Sequence, residues 1–256
     1  MTISVVVPVF NGSATLPALV DAVSAVARTH ALTLELLLVD DGSEDSSWDV
    51  IELLGEDYPW LRGFRLARNF GQENATLCGI QAARYPVIVT LDDDLQNPPE
   101  EIPHLLNKLA EGHSVVYGVP RRQRQSIARR LCAEAVKIFL EKILRVSAGR
   151  DISSFRAFRT DLREQFPRQC GLHLAVDVLL HQVTKDFAAV QVRNVPRAHG
   201  QSNYGPVKLV RHALTLLAGF SRIPFRTSAH RESYIVAATT SNSPATGERW
   251  ARTASR

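Results

Sequence analysis

Apolar positions along the chain fall into short runs, and stretches of helical period separate them regularly through residue 120. Ile3–Val9 is a valine-rich run of strand length. Leu16, Leu19, Val20 and Val23 then recur on one helical face, with Ser13 as the predicted cap. Leu34–Val39 reads as a second buried strand, Ser46–Leu54 as a helix, Leu61–Leu66 as a third strand and Gln72–Ala83 as a helix. Val87–Leu91 is a fourth strand. Glu100–Ala110 is a helix with Pro98 and Pro99 near its start and Gly112 just after it, and Ser114–Tyr117 is a short fifth strand. Strands alternating with helices predict an α/β fold, a Rossmann-like and mostly parallel sheet with helices on both faces.

The second half has a different rhythm. Ile127–Leu144 reads as a long amphipathic helix, Phe155–Phe158 as a short strand, Leu172–Val183 as a helix and Phe187–Val195 as a strand. Val207–Phe220 is an apolar helix flanked by Lys208, Arg211, Arg222 and Arg226. It fits either an ordinary core-packing helix or one lying in a membrane interface beside anionic headgroups. From Thr227 to Arg256 the chain turns to Ser, Thr, Ala and Arg without a sustained period, which predicts a disordered tail.

Composition narrows the setting. A chain of 256 residues holds one large or two small domains with a sizeable core. Cys78, Cys132 and Cys170 show no disulfide or metal spacing, which predicts a reducing compartment. The start, Met1-Thr2-Ile3-Ser4-Val5, lacks a basic leader region and reads as a strand, not a signal peptide. No apolar run reaches the ~18 residues of a membrane span, so no transmembrane helix is predicted. The net charge of +4 is modest. Its distribution matters more, because Arg121, Arg122, Arg124, Arg129 and Arg130 cluster with no acid among them. Phosphates or a membrane surface suit such a cluster, with a solvated face as the plain alternative. No aromatic residues interleave, which argues against nucleic acid.

The chemistry concentrates at Asp92-Asp93-Asp94, directly after the apolar run Val87–Leu91. Adjacent carboxylates beside a core repel one another and solvate poorly. A bound Mg²⁺ or Mn²⁺ relieves that repulsion, and a solvated acidic loop is the alternative. Three further segments follow parallel strands and should share the same sheet edge: Pro8-Val9-Phe10-Asn11-Gly12, Asp40-Asp41-Gly42-Ser43 and Arg68-Asn69-Phe70-Gly71. Open α/β sheets bind ligands there. Neither G-x-G-x-x-G after the first strand nor G-x-x-x-x-G-K-[ST] anywhere is present, so dinucleotide and P-loop chemistry are disfavoured. Asp40 accepting from a base or ribose, with Asp92 and Asp94 holding a cation across two phosphates, suits a nucleoside diphosphate. No His pair has zinc spacing, Trp48 and Trp60 read as packing residues, and Cys78 reads as a buried small residue.

These segments resemble the family 2 glycosyltransferases of GT-A fold, and within them the polyprenyl-phosphate glycosyltransferases. The resemblance rests on Val5-Val6-Val7-Pro8-Val9-Phe10-Asn11, Val39-Asp40-Asp41-Gly42-Ser43, Arg68-Asn69-Phe70-Gly71-Gln72 and Leu91 through Glu100. Ser154-Phe155-Arg156-Ala157-Phe158-Arg159 and Arg197 through Tyr204 extend it, so that it spans roughly residues 1–226. It implies a GT-A domain over 1–203, the amphipathic helix over 204–226, and a tail over 227–256 where this group commonly carries two transmembrane helices.

The resemblance also implies roles. Pro8, Asn11, Asp40, Asp41 and Asn69, with Asp92 and Asp93, line the nucleotide site, and Asp93 occupies the variable middle position, expected to point elsewhere. Asp92, Asp94 and Gln96 match the metal and diphosphate site. Asp94, Arg121 and Arg129 carry the catalytic role, and Arg121, Arg129, Arg197 and Ser202 face the acceptor phosphate. Asn203 and Ala133 depart from the lysine and serine of many relatives, which weakens the acceptor assignment more than the donor one.

The implied activity is inverting, metal-dependent transfer from a UDP- or GDP-sugar to a polyprenyl phosphate. It would take place peripherally at the cytoplasmic membrane face, and a homo-oligomer is compatible with it. Two alternatives stay open. One is a hydroxyl acceptor, which needs a general base such as Asp151 or Glu164. The other is an inactive nucleotide-sugar binding module.

Overall fold

The computed structural model describes residues 1–121, 152–166, 175–195 and 234–240. Eight strands, β1 (Thr2–Val9), β2 (Thr33–Asp40), β3 (Leu61–Leu66), β4 (Val87–Thr90), β5 (Val115–Pro120), β6 (Arg156–Arg159), β7 (Phe187–Val192) and β8 (Val236–Thr239), form one sheet. Their order is β7-β5-β6-β4-β1-β2-β3-β8. β1 pairs in parallel with β2 and β4, and β2 in parallel with β3. β6 runs antiparallel to both β4 and β5, so β5, and β7 parallel to it, point the same way as the first four strands. The result is the mostly parallel, helix-covered sheet expected from the alternating pattern, with β6 and β8 as its antiparallel members.

The apolar runs have a simple cause. β1 and β2 are buried on both faces, so nearly every position is apolar. Val5, Val7 and Val9 pack on one face beneath α1 (Leu16–Thr29), α2 (Ser47–Asp57) and α4 (Ile102–Ala110). Val6, Leu37 and Val39 pack on the other beneath α3 (Gln72–Ala82) and α5 (Val176–Val183). Cys78 lies within that second layer, fully buried, where desolvation pushes its thiol up to about 12, so it is a packing residue. Trp48 is a core residue and Trp60 packs against that core.

From β1 the chain moves outward through β2 and β3, then returns to lay β4 on the other side of β1. The crevice beyond the carboxyl ends of β1 and β4 is therefore the switch point where such sheets bind ligands.

Two expectations are corrected. Ser13 does not cap the first helix. Thr15 occupies that position, its Oγ1 bonded to Gly12 O, while Ser13 N donates to Asp45 Oδ2. The tail is not structureless throughout, because Val236–Thr239 adds an antiparallel edge strand to β3. Gly63 N also donates to Thr240 Oγ1, and Ala67 N to Ile235 O. The outer edge of β3 offers unpaired backbone groups, and four residues of modest propensity suffice to meet them. The sheet thus includes a strand drawn from the predicted tail. The helices predicted over Ile127–Leu144 and Val207–Phe220 lie outside the described residues, as does the start of the one predicted over Leu172–Val183. Among the described residues no helix is long and apolar enough to cross a membrane.

Candidate active site

The parallel strands bring all four predicted loops to one edge. The β1 and β2 loops are laced together there. Asn11, at φ 54°, donates its N–H to Ser43 Oγ at 2.9 Å and accepts from Glu44 N through Oδ1 at 2.9 Å. Gly12 N donates to Ser47 Oγ at 2.9 Å. Asn11 itself is exposed, as are Phe10 beside it and Asn69 on the β3 loop, whereas Pro8 is buried within β1.

Asp40 and Asp41 take different parts. Asp40 is fully buried at the end of β2, its Oδ1 accepting from Ser43 N at 3.0 Å. Its Oδ2 makes no hydrogen bond among the described residues, and Arg65 Nε stands 3.5 Å away. Asp41 is a beam between loops, with Oδ1 accepting from Phe70 N at 2.7 Å and Oδ2 from Gly71 N at 2.8 Å. Burial pushes its carboxyl up to about 6 despite these two amides, which favour the charged form. Gly42, at φ +69°, permits the crossing, since a Cβ there would meet the Arg68 carbonyl carbon at 2.5 Å.

The aspartate cluster emerges from β4 into the switch-point crevice. Asp92 is half-buried, with Oδ1 accepting from Gln72 Nε2 at 2.6 Å and Oδ2 from Ser154 Oγ at 2.6 Å. Asp93 turns toward the β1 loop, where a Cβ on Gly12 would lie 2.4 Å from its Oδ2. Asp94 is buried and accepts from Gln96 N through Oδ1 at 3.0 Å, with Leu95 between them at φ 59°. The exit of β7 is fastened to the same loop. Val195 N donates to Gln96 O, and Arg193 Nε to Glu101 Oε1 at 2.6 Å. Arg121 stands exposed at the end of β5, its N–H donating to Val192 O.

Behind Asp92 lies a buried polar chain. Thr90 Oγ1 donates to Ser154 O at 2.6 Å and accepts from Arg156 Nε at 3.1 Å. Arg156 reaches Asp177 on α5, and Tyr117 OH donates to the same carboxylate oxygen at 2.9 Å. Burial works against the Arg156 charge, but Asp177 outweighs it and holds the guanidinium protonated.

Asp92, Asp94 and Gln96 offer only hard oxygen donors, a chemistry that fits Mg²⁺ or Mn²⁺. Among the described residues no three His, Cys, Asp or Glu side chains form a ready cage. Arg129, Arg197 and Ser202 lie outside the described residues, as does Asp151. Glu164 is excluded as a base by position. It lies in the 3-10 turn Thr160–Gln165 after β6, beside Pro86 at the opposite sheet edge. Gln72 and Ser154 fall inside the quoted motifs, yet sequence reasoning assigned them no role. Only the fold shows that both reach Asp92.

Residues 4–164 match the family model described as glycosyl transferase family 2. Undecaprenyl-phosphate 4-deoxy-4-formamido-L-arabinose transferase of Shewanella sediminis (strain HAW-EB3) is 33% identical over 229 residues, covering 88% of this chain and 68% of its own. The protein of that name from Pseudomonas paraeruginosa is 32% identical over 225 residues, covering 88% of this chain and 66% of its own. The chain thus spans about two thirds of these relatives' length. Among solved structures, glucosyl-3-phosphoglycerate synthase from Mycobacterium tuberculosis, in complex with Mn²⁺ and UDP-glucose, superposes with a TM-score of 0.65 at 23% identity. That match covers 92% of this chain and 85% of the other.

Proposed function

Because the chain belongs to glycosyl transferase family 2, we propose that it moves a sugar from a UDP- or GDP-sugar to a polyprenyl phosphate, with inversion at the anomeric carbon. The observation that supports this reading is that the strands leading to Asn11, Asp40 and Asp92 through Gln96 run parallel and end at one edge of the sheet, the edge where β5 also ends before Arg121. The lipid acceptor is supported by relatives named for undecaprenyl phosphate. The donor class and cation are supported by the neighbour solved with Mn²⁺ and UDP-glucose.

Such an acceptor simplifies the chemistry. A phosphate monoester has its second pKa near ~6 and is largely dianionic at neutral pH. One of its oxygens attacks the anomeric carbon while the bond from that carbon to the nucleoside diphosphate breaks, and no base is needed. Mg²⁺ or Mn²⁺, held by Asp92, Asp94 and Gln96, would supply charge stabilisation to the departing diphosphate. The Asp40 loop orients the nucleoside. Arg121, with Arg129, Arg197 and Ser202, offsets the repulsion between the two phosphate-bearing substrates. This work belongs at the cytoplasmic face of a membrane, with the chain bound peripherally.

The test is transfer of radiolabel from a panel of UDP- and GDP-sugars into organic-extractable undecaprenyl phosphate, with Mn²⁺ or Mg²⁺ and membranes present. Lipid-phase label that EDTA abolishes supports the reading and identifies the sugar. Metal-dependent donor binding without lipid label would overturn the lipid acceptor in favour of a hydroxyl acceptor or an inactive binding module.

A further inference from the structure

We propose that Ser154 is a positioning residue for the Asp92 carboxylate, with Gln72 as its second support, and that the buried Thr90–Arg156–Asp177 chain holds Ser154 in place. The inference rests on the reading of Asp92 as part of a cation and diphosphate site.

Asp92 sits on a half-exposed loop, where a carboxylate normally samples several rotamers. Here each oxygen has its own donor from a different element. Gln72 opens α3 and takes Oδ1, while Ser154 precedes β6 and takes Oδ2, both at 2.6 Å. Two donors, one on each oxygen, restrain the side-chain torsions and the plane of the carboxylate. A site that must hold a cation and a leaving diphosphate at once needs that orientation set before substrate arrives.

Ser154 is itself held from behind. Its carbonyl accepts from Thr90 Oγ1, and Thr90 is the β4 residue directly opposite Arg156 in the antiparallel register. Arg156 Nε donates to Thr90 Oγ1, and its NH1 is committed to Asp177. Arg156, Asp177 and Tyr117 are buried, on β6, α5 and β5. A buried ion pair is a poor way to gain stability, because its desolvation offsets its attraction. This pair lies one hydroxyl away from the backbone that carries Ser154. Its geometry suits fixing a position more than adding stability.

The test compares Ser154→Ala, Ser154→Thr and Thr90→Val with the unmodified chain. The probes are Mn²⁺ with UDP, titrated by electron paramagnetic resonance, and UDP alone, titrated by calorimetry. Removing an outer support typically costs about 10–100-fold in metal affinity. Ser154→Ala is expected to weaken UDP-dependent Mn²⁺ binding by about tenfold or more while metal-free UDP binding and Tm stay unchanged. Ser154→Thr, which keeps the hydroxyl, is expected to restore Mn²⁺ affinity, and Thr90→Val to fall between the two. Unchanged Mn²⁺ affinity in Ser154→Ala overturns the proposal. So does an equal loss of Mn²⁺ and metal-free UDP binding, which marks a merely structural role. Failure of the unmodified chain to bind Mn²⁺ with UDP overturns the cation site itself, a result distinct from either.

Discussion

Phe70 donates its backbone N–H to Asp41 Oδ1 at 2.7 Å, so the β2 loop carries the β3 loop on a buried carboxylate. The Gly71 amide takes the other oxygen. Burial outweighs both bonds and leaves the folded-state pKa at about 6, above the ordinary 3.8. The folded chain therefore holds the proton more tightly than the unfolded one. The stability Asp41 contributes is fully present below about 4 and is lost as pH rises through about 6. Chemical denaturation across that window should show this slope, and Asp41→Asn should remove it.

Asp94→Asn separates charge from shape. The asparagine carbonyl can keep the bond from Gln96 N that the carboxylate oxygen now accepts at 3.0 Å. Stability is expected to change by less than about 1 kcal/mol. Transfer is expected to fall by about 10²–10³-fold as one charge is lost beside the diphosphate. Thermal melting and the lipid-transfer assay read the two effects separately, and retained transfer would reject the cation role of Asp94.

Arg121 tests the acceptor side. Its side chain is exposed at the end of β5, so Arg121→Ala should leave stability within about 0.5 kcal/mol. A charge-assisted bond to phosphate is worth about 1.5–3 kcal/mol, so KM for the lipid phosphate should rise about tenfold or more. Arg121→Lys should recover only part of that, because an ammonium lacks the guanidinium fork. An unchanged acceptor KM would remove Arg121 from the phosphate site.

Gly42→Ala tests the crossing of the β2 and β3 loops. A methyl group there meets backbone, not a movable side chain, and the left-handed φ adds strain. A loss of roughly 1–3 kcal/mol is expected, read as a Tm lower by roughly 2–10 °C. Donor affinity should fall with it, since the displaced segment carries Arg68 and Asn69. A Tm equal to that of the unmodified chain would mean the loops do not press together as described.

The sequence by itself determined the first parallel strands and the edge at which their loops meet. Strands buried on both faces must be apolar at nearly every position, so Ile3–Val9 and Leu34–Val39 announce themselves without knowledge of their neighbours. Parallel strands must place their following loops on one side. The convergence of Asn11, Asp40, Asn69 and Asp92 therefore follows from alternation alone. Asp92 through Gln96 was legible as a candidate site because a carboxylate cluster next to a core demands a reason.

Tertiary structure decided which polar group meets which, since hydrogen bonds between distant residues leave no periodic trace. Ser154 and Asp92 lie 62 residues apart in the chain, and only the antiparallel insertion of β6 beside β4 brings them together. Asp40 and Asp41 look equivalent in sequence. The fold alone gives one an oxygen with no hydrogen bond among the described residues and spends both oxygens of the other on backbone amides. Glu164, equal to Asp151 as a base candidate by residue type, falls at the far edge because β6 runs against its neighbours. The edge strand Val236–Thr239 was invisible for a related reason: its pairing is specified by the open edge of β3 more than by its own four residues.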